Sequence, residues 1–142
     1  MSRGLDWKWI LIGVLIMVGL AIAAGLIMTL VVGPGQLETV AEGEPVTLTG
    51  GQALLGAALN FLAFLIGGYI VGRQSAGRTI LEPGISAAIA VVIGLVLAGG
   101  FTLFNLLTAG LVPFLAGLLG GWLGERGQPA AAPSDIDQRP LT

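Results

Sequence analysis

Four long runs of apolar residues divide the chain, and its charged residues lie between or beyond them. The first run extends from Trp9 to Val32, 24 residues without a charge, and the second extends from about Gln52 to Gly72. The third and fourth share one uncharged run of 42 residues, Pro83 to Gly124. Because a helix needs about 20 apolar residues to cross a bilayer, the pattern predicts four membrane-spanning helices. We place them at about 8–32, 52–72, 80–101 and 104–124.

The composition excludes a water-soluble globular domain. Hydrophobic residues make up 55% of the chain and charged residues 10%, against about 25% charged residues in an average soluble domain. The first apolar run is longer than a signal-peptide core and no A-x-A site follows it, so we interpret it as a retained anchor. The predicted fold is an all-α integral membrane four-helix bundle over residues 1–126. The Pro-rich segment 127–142 is predicted to be a disordered cytoplasmic tail.

The charges predict the orientation in the membrane. Four crossings place both termini on one side, together with all six basic residues, whereas Glu38, Glu42 and Glu44 lie on the other side. The positive-inside rule then places both termini in the cytoplasm. The aromatic residues also fall at the cytoplasmic helix ends, where amphipathic rings favour the headgroup region. The predicted interface anchors are Trp7, Trp9, Tyr69, Arg73, Arg78, Trp122 and Arg126.

Small residues recur every four positions along the helices, which predicts close helix packing. One such row lies on the third helix: Ser86, Ala90, Gly94 and Ala98. The fourth helix carries Gly117 and Gly121 in one row and Ala116, Gly120 and Gly124 in a second. One interpretation is packing within a single bundle. The other is that one of the two rows on the fourth helix is a spare face, which binds a second copy or another subunit.

The polar residues within the predicted spans are few and carry no charge. The candidates are Asn60, Thr102, Asn105 and Thr108. Intramembrane ionisable residues normally mark proton relays and ion pathways, so their absence argues against proton-coupled transport. Asn60 lies midway along the second helix and is expected to bond a polar group of another helix rather than a substrate. Pro113 is expected to kink the fourth helix and to free the carbonyl of Ala109.

The chain offers few groups for catalysis or for binding a metal or cofactor. It contains no Cys and no His, which removes thiolate and imidazole ligands and the commonest general base. We therefore predict no enzyme activity, no metal and no cofactor, and six basic residues against eight acidic ones argue against nucleic-acid binding.

Glu82 is interpreted as a helix-start residue near the interface, or else as part of an ion or lipid site. The acidic loop at 33–51 is either a connector or a cap that contacts a partner.

Two segments resemble known membrane-protein families. Gly67 to Arg73, GGYIVGR, resembles a motif of small uncharacterised bacterial multi-pass membrane proteins, which implies the bacterial inner membrane and no particular activity. Gly99 to Asn105, GGFTLFN, together with Asn60, resembles features of the small four-helix fluoride channels. That resemblance implies pore residues at Asn60, Phe101, Thr102 and Phe104. The chain departs from that family because its first helix lacks the basic residue near its end.

Three functional hypotheses follow from the sequence. The leading one is a non-enzymatic accessory or assembly subunit that packs against other membrane proteins or against itself. The second is a small oligomeric channel or transporter for a neutral or weakly hydrated solute. The third is lipid or quinone binding at the cytoplasmic face, through Arg73, Arg78 and the aromatic residues.

Overall fold

A computed structural model describes residues 4–33, 47–75, 80–97 and 102–128, apart from the side chain of Thr108. Within these ranges the chain is all-helical and forms no strand. Its four helices are α1 (Trp7–Val32), α2 (Gly50–Gln74), α3 (Leu81–Leu97) and α4 (Leu103–Arg126). The fold class predicted from the apolar runs is thereby confirmed as a bundle of four helices.

The helices alternate in direction, so that two starts and two ends meet at one end of the bundle. Asp6, at the start of α1, contacts Glu82 at the start of α3, and Gly72 near the end of α2 lies against Gly121 near the end of α4. We call this end of the bundle the basal end, and the opposite end the outer end. All three basic residues in the described ranges, Lys8, Arg73 and Arg126, lie at the basal end of their helices.

Three of the helices are long and apolar enough to cross a membrane. They are α1, α2 and α4, with 26, 25 and 24 residues. Helix α3 is apolar but has 17 residues, which at about 1.5 Å per residue is shorter than a bilayer core of about 30 Å. The prediction extends this helix to residue 101, and residues 98–101 lie outside the described ranges. The structure therefore shows three candidate spans and one shorter apolar helix.

The first residues of three helices are determined by polar N-cap side chains rather than by the limits of the apolar runs. The predicted second helix starts at Gln52, whereas α2 starts at Gly50 because Thr49 and Gln52 form a reciprocal capping box. Asp6 caps α1 and Thr102 caps α4 in the same way, each by accepting a backbone N–H from the first turn. At the other end of α1, Gly33 has a φ of 89°, a conformation that favours glycine.

The core of the bundle is built mainly from small side chains. Met17 of α1, Ala87 of α3 and Ala116 of α4 are completely buried, and Phe64 of α2 is almost so. Because alanine adds little volume, the helix backbones approach closely at this level. We call the part of the bundle from this core to the basal end the basal half, and the remainder the outer half.

Candidate functional site

Glycine residues bring α2 and α4 into backbone contact throughout the basal half. A Cβ added at Gly68 would overlap the carbonyl of Gly117, and one added at Gly72 would lie 2.7 Å from the Cα of Gly121. Such separations are shorter than real Cβ contacts, so only glycine fits at these positions of α2. We call this contact the α2–α4 seam.

The second small-residue row of α4 belongs to the same seam. A Cβ at Gly120 would lie 2.8 Å from the backbone nitrogen of Tyr69, and one at Gly124 would lie 2.7 Å from that of Arg73. Ala116 of this row is completely buried in the core. Both rows of α4 are therefore used within the chain. The expectation that one of them is a spare face for a partner does not hold in the structure, because α2 packs between the two rows.

The row on α3 is packed at its basal end and open at its outer end. Ser86 and Ala90 are buried, and the Ser86 hydroxyl lies 3.0 Å from the carbonyl oxygen of Ile10 and 2.8 Å from that of Glu82. Gly94 has open space where a Cβ would be added. Ala98 lies outside the described residues. Among the described residues of this row, Ser86 and Ala90 therefore have the predicted packing role and Gly94 does not.

Glu82 is a buried acid at the junction of α1 and α3. Its side chain has no solvent exposure, and its Oε1 accepts the backbone N–H of Asp6 at 2.6 Å. No other charged side chain in the described ranges is buried. The sequence places Glu82 at a helix start but does not show its burial, because the N–H that it accepts comes from a segment 76 residues away. The adjoining Pro83 is buried with it, although Leu81, the first residue of α3, is 48% exposed.

Gln128 ties the end of α4 to the end of α2. Its Nε2 donates to the carbonyl oxygens of Gly72 at 2.8 Å and Ser75 at 3.0 Å. These carbonyls belong to the last turn of α2 and its C-cap, where no helical N–H remains to bond them. Gln128 falls in the segment predicted to be a tail, of which residues 129–142 lie outside the described ranges.

The predicted interface anchors gather at the basal end. Arg73 Nη1 donates to the Tyr69 hydroxyl at 2.8 Å, and the Arg126 guanidinium lies 3.6 Å above the centre of the Trp122 ring. Trp7 is exposed and Trp9 is half-buried beside it. Arg78 lies outside the described residues. This arrangement of cations and amphipathic rings is typical of a helix end in the headgroup region.

The outer half contains two adjoining hollows that share Asn60. The first, which we call the outer groove, lies between α2 and α4, has a volume of about 330 Å³ and is lined by Ala57, Asn60, Ala109, Val112 and Pro113. The second, which we call the inner cavity, has a volume of about 190 Å³, is lined by residues of all four helices and is open on one side. Its lining includes Ala21 of α1, Asn60 and Phe64 of α2, Gly94 of α3 and Pro113 of α4.

Asn60, which lines both hollows, has a buried side-chain oxygen that forms no hydrogen bond with the described part of the chain. The bond to another helix expected from the sequence is therefore not formed there. Pro113 has no N–H to donate to the carbonyl of Ala109, and both residues line the two hollows with Asn60. Asn60 carries the one polar side chain in a lining that is otherwise apolar.

The other predicted polar residues lie nearer the outer end. Thr102 is exposed, and its hydroxyl accepts the backbone N–H of Asn105 at 3.0 Å as the N-cap of α4. Phe104 is 73% exposed. Phe101 lies outside the described residues, and so does the side chain of Thr108. The structure therefore does not gather Thr102 and Phe104 around Asn60 as the fluoride-channel resemblance implies.

Neither a metal centre nor a related protein is apparent. Within the described ranges no three His, Cys, Asp or Glu side chains lie together as metal ligands would. In comparisons with known proteins, no protein-family profile, no curated protein and no solved structure matched this chain. The candidate site is therefore defined by geometry alone, as the outer groove and inner cavity around Asn60.

Proposed function

We propose that this protein is a non-enzymatic accessory or assembly subunit of the bacterial inner membrane, which binds a membrane partner through its outer half. The observation that carries the proposal is the outer groove beside Asn60, which no residue in the described part of the chain fills. A partner helix that packs over the groove gains the close contacts by which transmembrane helices associate.

The contrast with the basal half supports this choice of surface. There, the small-residue rows of α4, one of which could have been a spare face for a partner, make contacts within the chain. In the outer half, Gly25 and Gly94 have open space around them, and Ala57 and Ala109 are exposed. Small exposed residues permit close approach of a helix, which is how transmembrane helices associate.

The proposed orientation places both termini in the cytoplasm. Its support is the collection of Lys8, Arg73 and Arg126 at the basal end, together with the aromatic residues there. In this orientation the outer groove opens in the half of the bilayer away from the cytoplasm. A cysteine-accessibility assay at the basal end tests the orientation directly, since the natural chain has no cysteine.

Purification from the native membrane in a mild detergent tests the proposed function. We expect a stoichiometric membrane-protein partner to co-migrate with the full chain and to be identified by mass spectrometry. The variant Ala57→Leu fills the outer groove and is expected to lose most of the partner. The matched control is Ala58→Leu, on the neighbouring exposed position that does not line the groove. Recovery of the chain as a lone monomer contradicts the proposal.

The second candidate function is a small oligomeric channel or transporter for a neutral solute. The inner cavity favours it, because the cavity brings the polar Asn60 to mid-membrane depth among four helices. The buried Met17, Phe64 and Ala116 close the basal half below this cavity. A channel function predicts solute flux in liposomes that Asn60→Leu abolishes. No flux over a broad solute panel excludes it.

A further inference from the structure

The last parts of α2 and α4 repeat the same sequence pattern. Residues 61–73 read FLAFLIGGYIVGR and residues 114–126 read FLAGLLGGWLGER, with seven of 13 positions identical and no gap. The first eight residues also follow the same order of exposed, half-buried and buried residues in both helices. The two segments are therefore repeats of each other in sequence and in burial, 53 residues apart in the chain.

Each repeat presents a row of four residues at the spacing i, i+4, i+7 and i+11, which lies on one face of a helix. We call these rows the α2 stripe (Leu62, Ile66, Tyr69 and Arg73) and the α4 stripe (Leu115, Leu119, Trp122 and Arg126). The four aliphatic side chains are nearly equally exposed, between 46% and 48%. At every stripe position the second repeat keeps the chemical class of the first. Each stripe thus consists of two aliphatic residues, an aromatic ring and an arginine at the basal end.

The two stripes combine lipid-facing aliphatic residues with a cation at the membrane surface. We propose that each stripe binds one anionic phospholipid of the leaflet at the basal end. The phosphate lies at the arginine and the aromatic ring, and an acyl chain lies along the aliphatic residues. The inference goes beyond the proposed function, because it places lipid sites in the basal half, whereas the proposed partner binds the outer half.

The two guanidinium groups are oriented by uncharged side chains. Arg73 Nη1 donates to the Tyr69 hydroxyl at 2.8 Å, and the Arg126 guanidinium lies 3.6 Å above the centre of the Trp122 ring. An aromatic partner orients the guanidinium without neutralising its positive charge. Both arginines are exposed, so their other N–H groups can donate to the oxygens of a phosphate. Because the Tyr69 oxygen accepts from Arg73, the Tyr69 O–H is also left to donate.

The charge of the two repeats favours an anionic lipid over a zwitterionic one. The repeats contain two arginines and a single acid, Glu125, whose counterpart in the first repeat is Gly72. A zwitterionic headgroup carries its own cation close to the phosphate, and that cation is repelled by an arginine. An anionic headgroup is attracted without this repulsion, as basic residues at a membrane surface attract anionic lipids.

The length of each stripe matches one leaflet of a bilayer. Leu62 and Arg73 are 11 residues apart, which is about 16 Å along a helix, and so are Leu115 and Arg126. Half of a hydrocarbon core about 30 Å thick is about 15 Å. A lipid whose phosphate lies at the arginine therefore has its acyl chain beside the aliphatic residues. A free phosphate ion contacts the arginine alone and gains nothing from the rest of the stripe.

Quenching of single tryptophans by brominated lipids tests this inference with the full-length chain. One variant keeps Trp122 by carrying Trp7→Phe and Trp9→Phe. A second adds Tyr69→Trp and Trp122→Tyr to these two changes, which moves the tryptophan to the equivalent position 69. The control keeps Trp7, which is exposed at the same end of the bundle but has Leu11, not an arginine, four residues further on. Vesicles contain phosphatidylglycerol and phosphatidylcholine in equal amounts, with one or the other brominated.

The expected result is a local preference for the anionic lipid. Phosphatidylglycerol should be favoured over phosphatidylcholine about fivefold at positions 69 and 122, the effect of one arginine near the membrane surface, and less than about twofold at Trp7. Arg126→Gln should remove the preference at position 122 and leave that at position 69 unchanged, and Arg73→Gln should do the reverse. Thermal unfolding of both glutamine variants shows that they are folded.

Four results overturn the inference: the same lipid preference at all three positions, a preference at one repeat alone, a preference that neither glutamine variant lowers, or one glutamine variant that lowers the preference equally at both repeats. The first and the last would indicate that the overall positive charge of the basal end attracts the lipid. Because the outer groove takes no part in this experiment, each of these results leaves the proposed function standing.

Discussion

The basal and outer halves of the bundle contain the same four helices but are packed very differently. In the basal half, Gly68 and Gly72 bring the α2 backbone against α4, and a buried Glu82 and Gln128 bond the helix ends together. In the outer half, the outer groove lies between α2 and α4, with Pro113 in its lining. A further apolar groove of about 240 Å³ lies between α3 and α4 in the same half.

This difference shows that the role of a small residue in a membrane helix depends on the residues that lie opposite it. Gly68 and Gly94 look alike in the sequence, since each has a small residue four positions further along its apolar run, Gly72 and Ala98. Gly68 meets a carbonyl of α4, whereas Gly94 faces open space beside the inner cavity. The first holds the bundle together, and the second lines a surface that we propose is completed by a partner.

The largest expected effect is at the α2–α4 seam. Replacing Gly68 with Ala puts a methyl group against the Gly117 carbonyl, and neither backbone can move without opening the seam. We expect this variant to lose about 3 kcal/mol of unfolding free energy in detergent micelles. The matched variant Gly25→Ala adds a methyl in open space and should change stability by less than about 1 kcal/mol. Equal losses of unfolding free energy in the two variants would contradict the difference in packing between the basal and outer halves.

The next effect concerns the buried acid of the basal half. Glu82→Ala removes the acceptor of the Asp6 N–H and leaves a cavity, which should cost about 2 kcal/mol of unfolding free energy. Glu82→Gln keeps an acceptor oxygen and nearly the same volume, so it should recover most of that loss. Thermal unfolding of both variants checks this. If the Glu82→Gln variant is no more stable than the Glu82→Ala variant, the hydrogen bond to Asp6 does not account for the stability that Glu82 contributes.

A smaller effect is expected where α4 is tied to α2. Gln128→Ala removes two donors from the carbonyls of Gly72 and Ser75 and should cost about 1 kcal/mol of unfolding free energy. Gln128→Glu keeps the length but loses the amide donor, and should behave like the alanine variant. Chemical denaturation of the purified protein measures both. A glutamate variant as stable as the natural chain would argue that side-chain packing, not donation, matters here.

The smallest effect has the opposite sign and lies in the outer half. Asn60→Leu removes a buried polar atom that has no bond in the described chain, so the isolated protein should gain up to about 1 kcal/mol. Unfolding in detergent, without partner, measures the gain. A clear loss of stability would indicate that Asn60 is already bonded within the chain.

The sequence predicts where the helices are because that depends on the lengths of the apolar runs. Helix α1 starts one residue before its predicted start, and α4 extends two residues beyond its predicted end. The start of α2 differs from its predicted position because it depends on the capping box of Thr49 and Gln52 rather than on the apolar run. Local hydrogen bonds of this kind are in principle predictable.

The candidate site was predictable only in part, because it depends on which helices are neighbours. The sequence alone shows Asn60 and Pro113 as unusual residues in apolar helices. That they line the same groove follows from the pairing of α2 with α4, which spacing along one helix does not determine. For the same reason the sequence shows the two small-residue rows of α4 but not that the other three helices pack against them.

Distance measurements between spin labels on α2 and α4 test the central claim most directly. The natural chain has no cysteine, so pairs can be placed at exposed positions, Ile66 with Leu119 in the basal half and Leu55 with Leu111 in the outer half. In the purified protein we predict a narrow distance distribution for the basal pair and a broad one for the outer pair, which narrows when the native partner is bound. Equally narrow distributions for both pairs without partner would contradict the account.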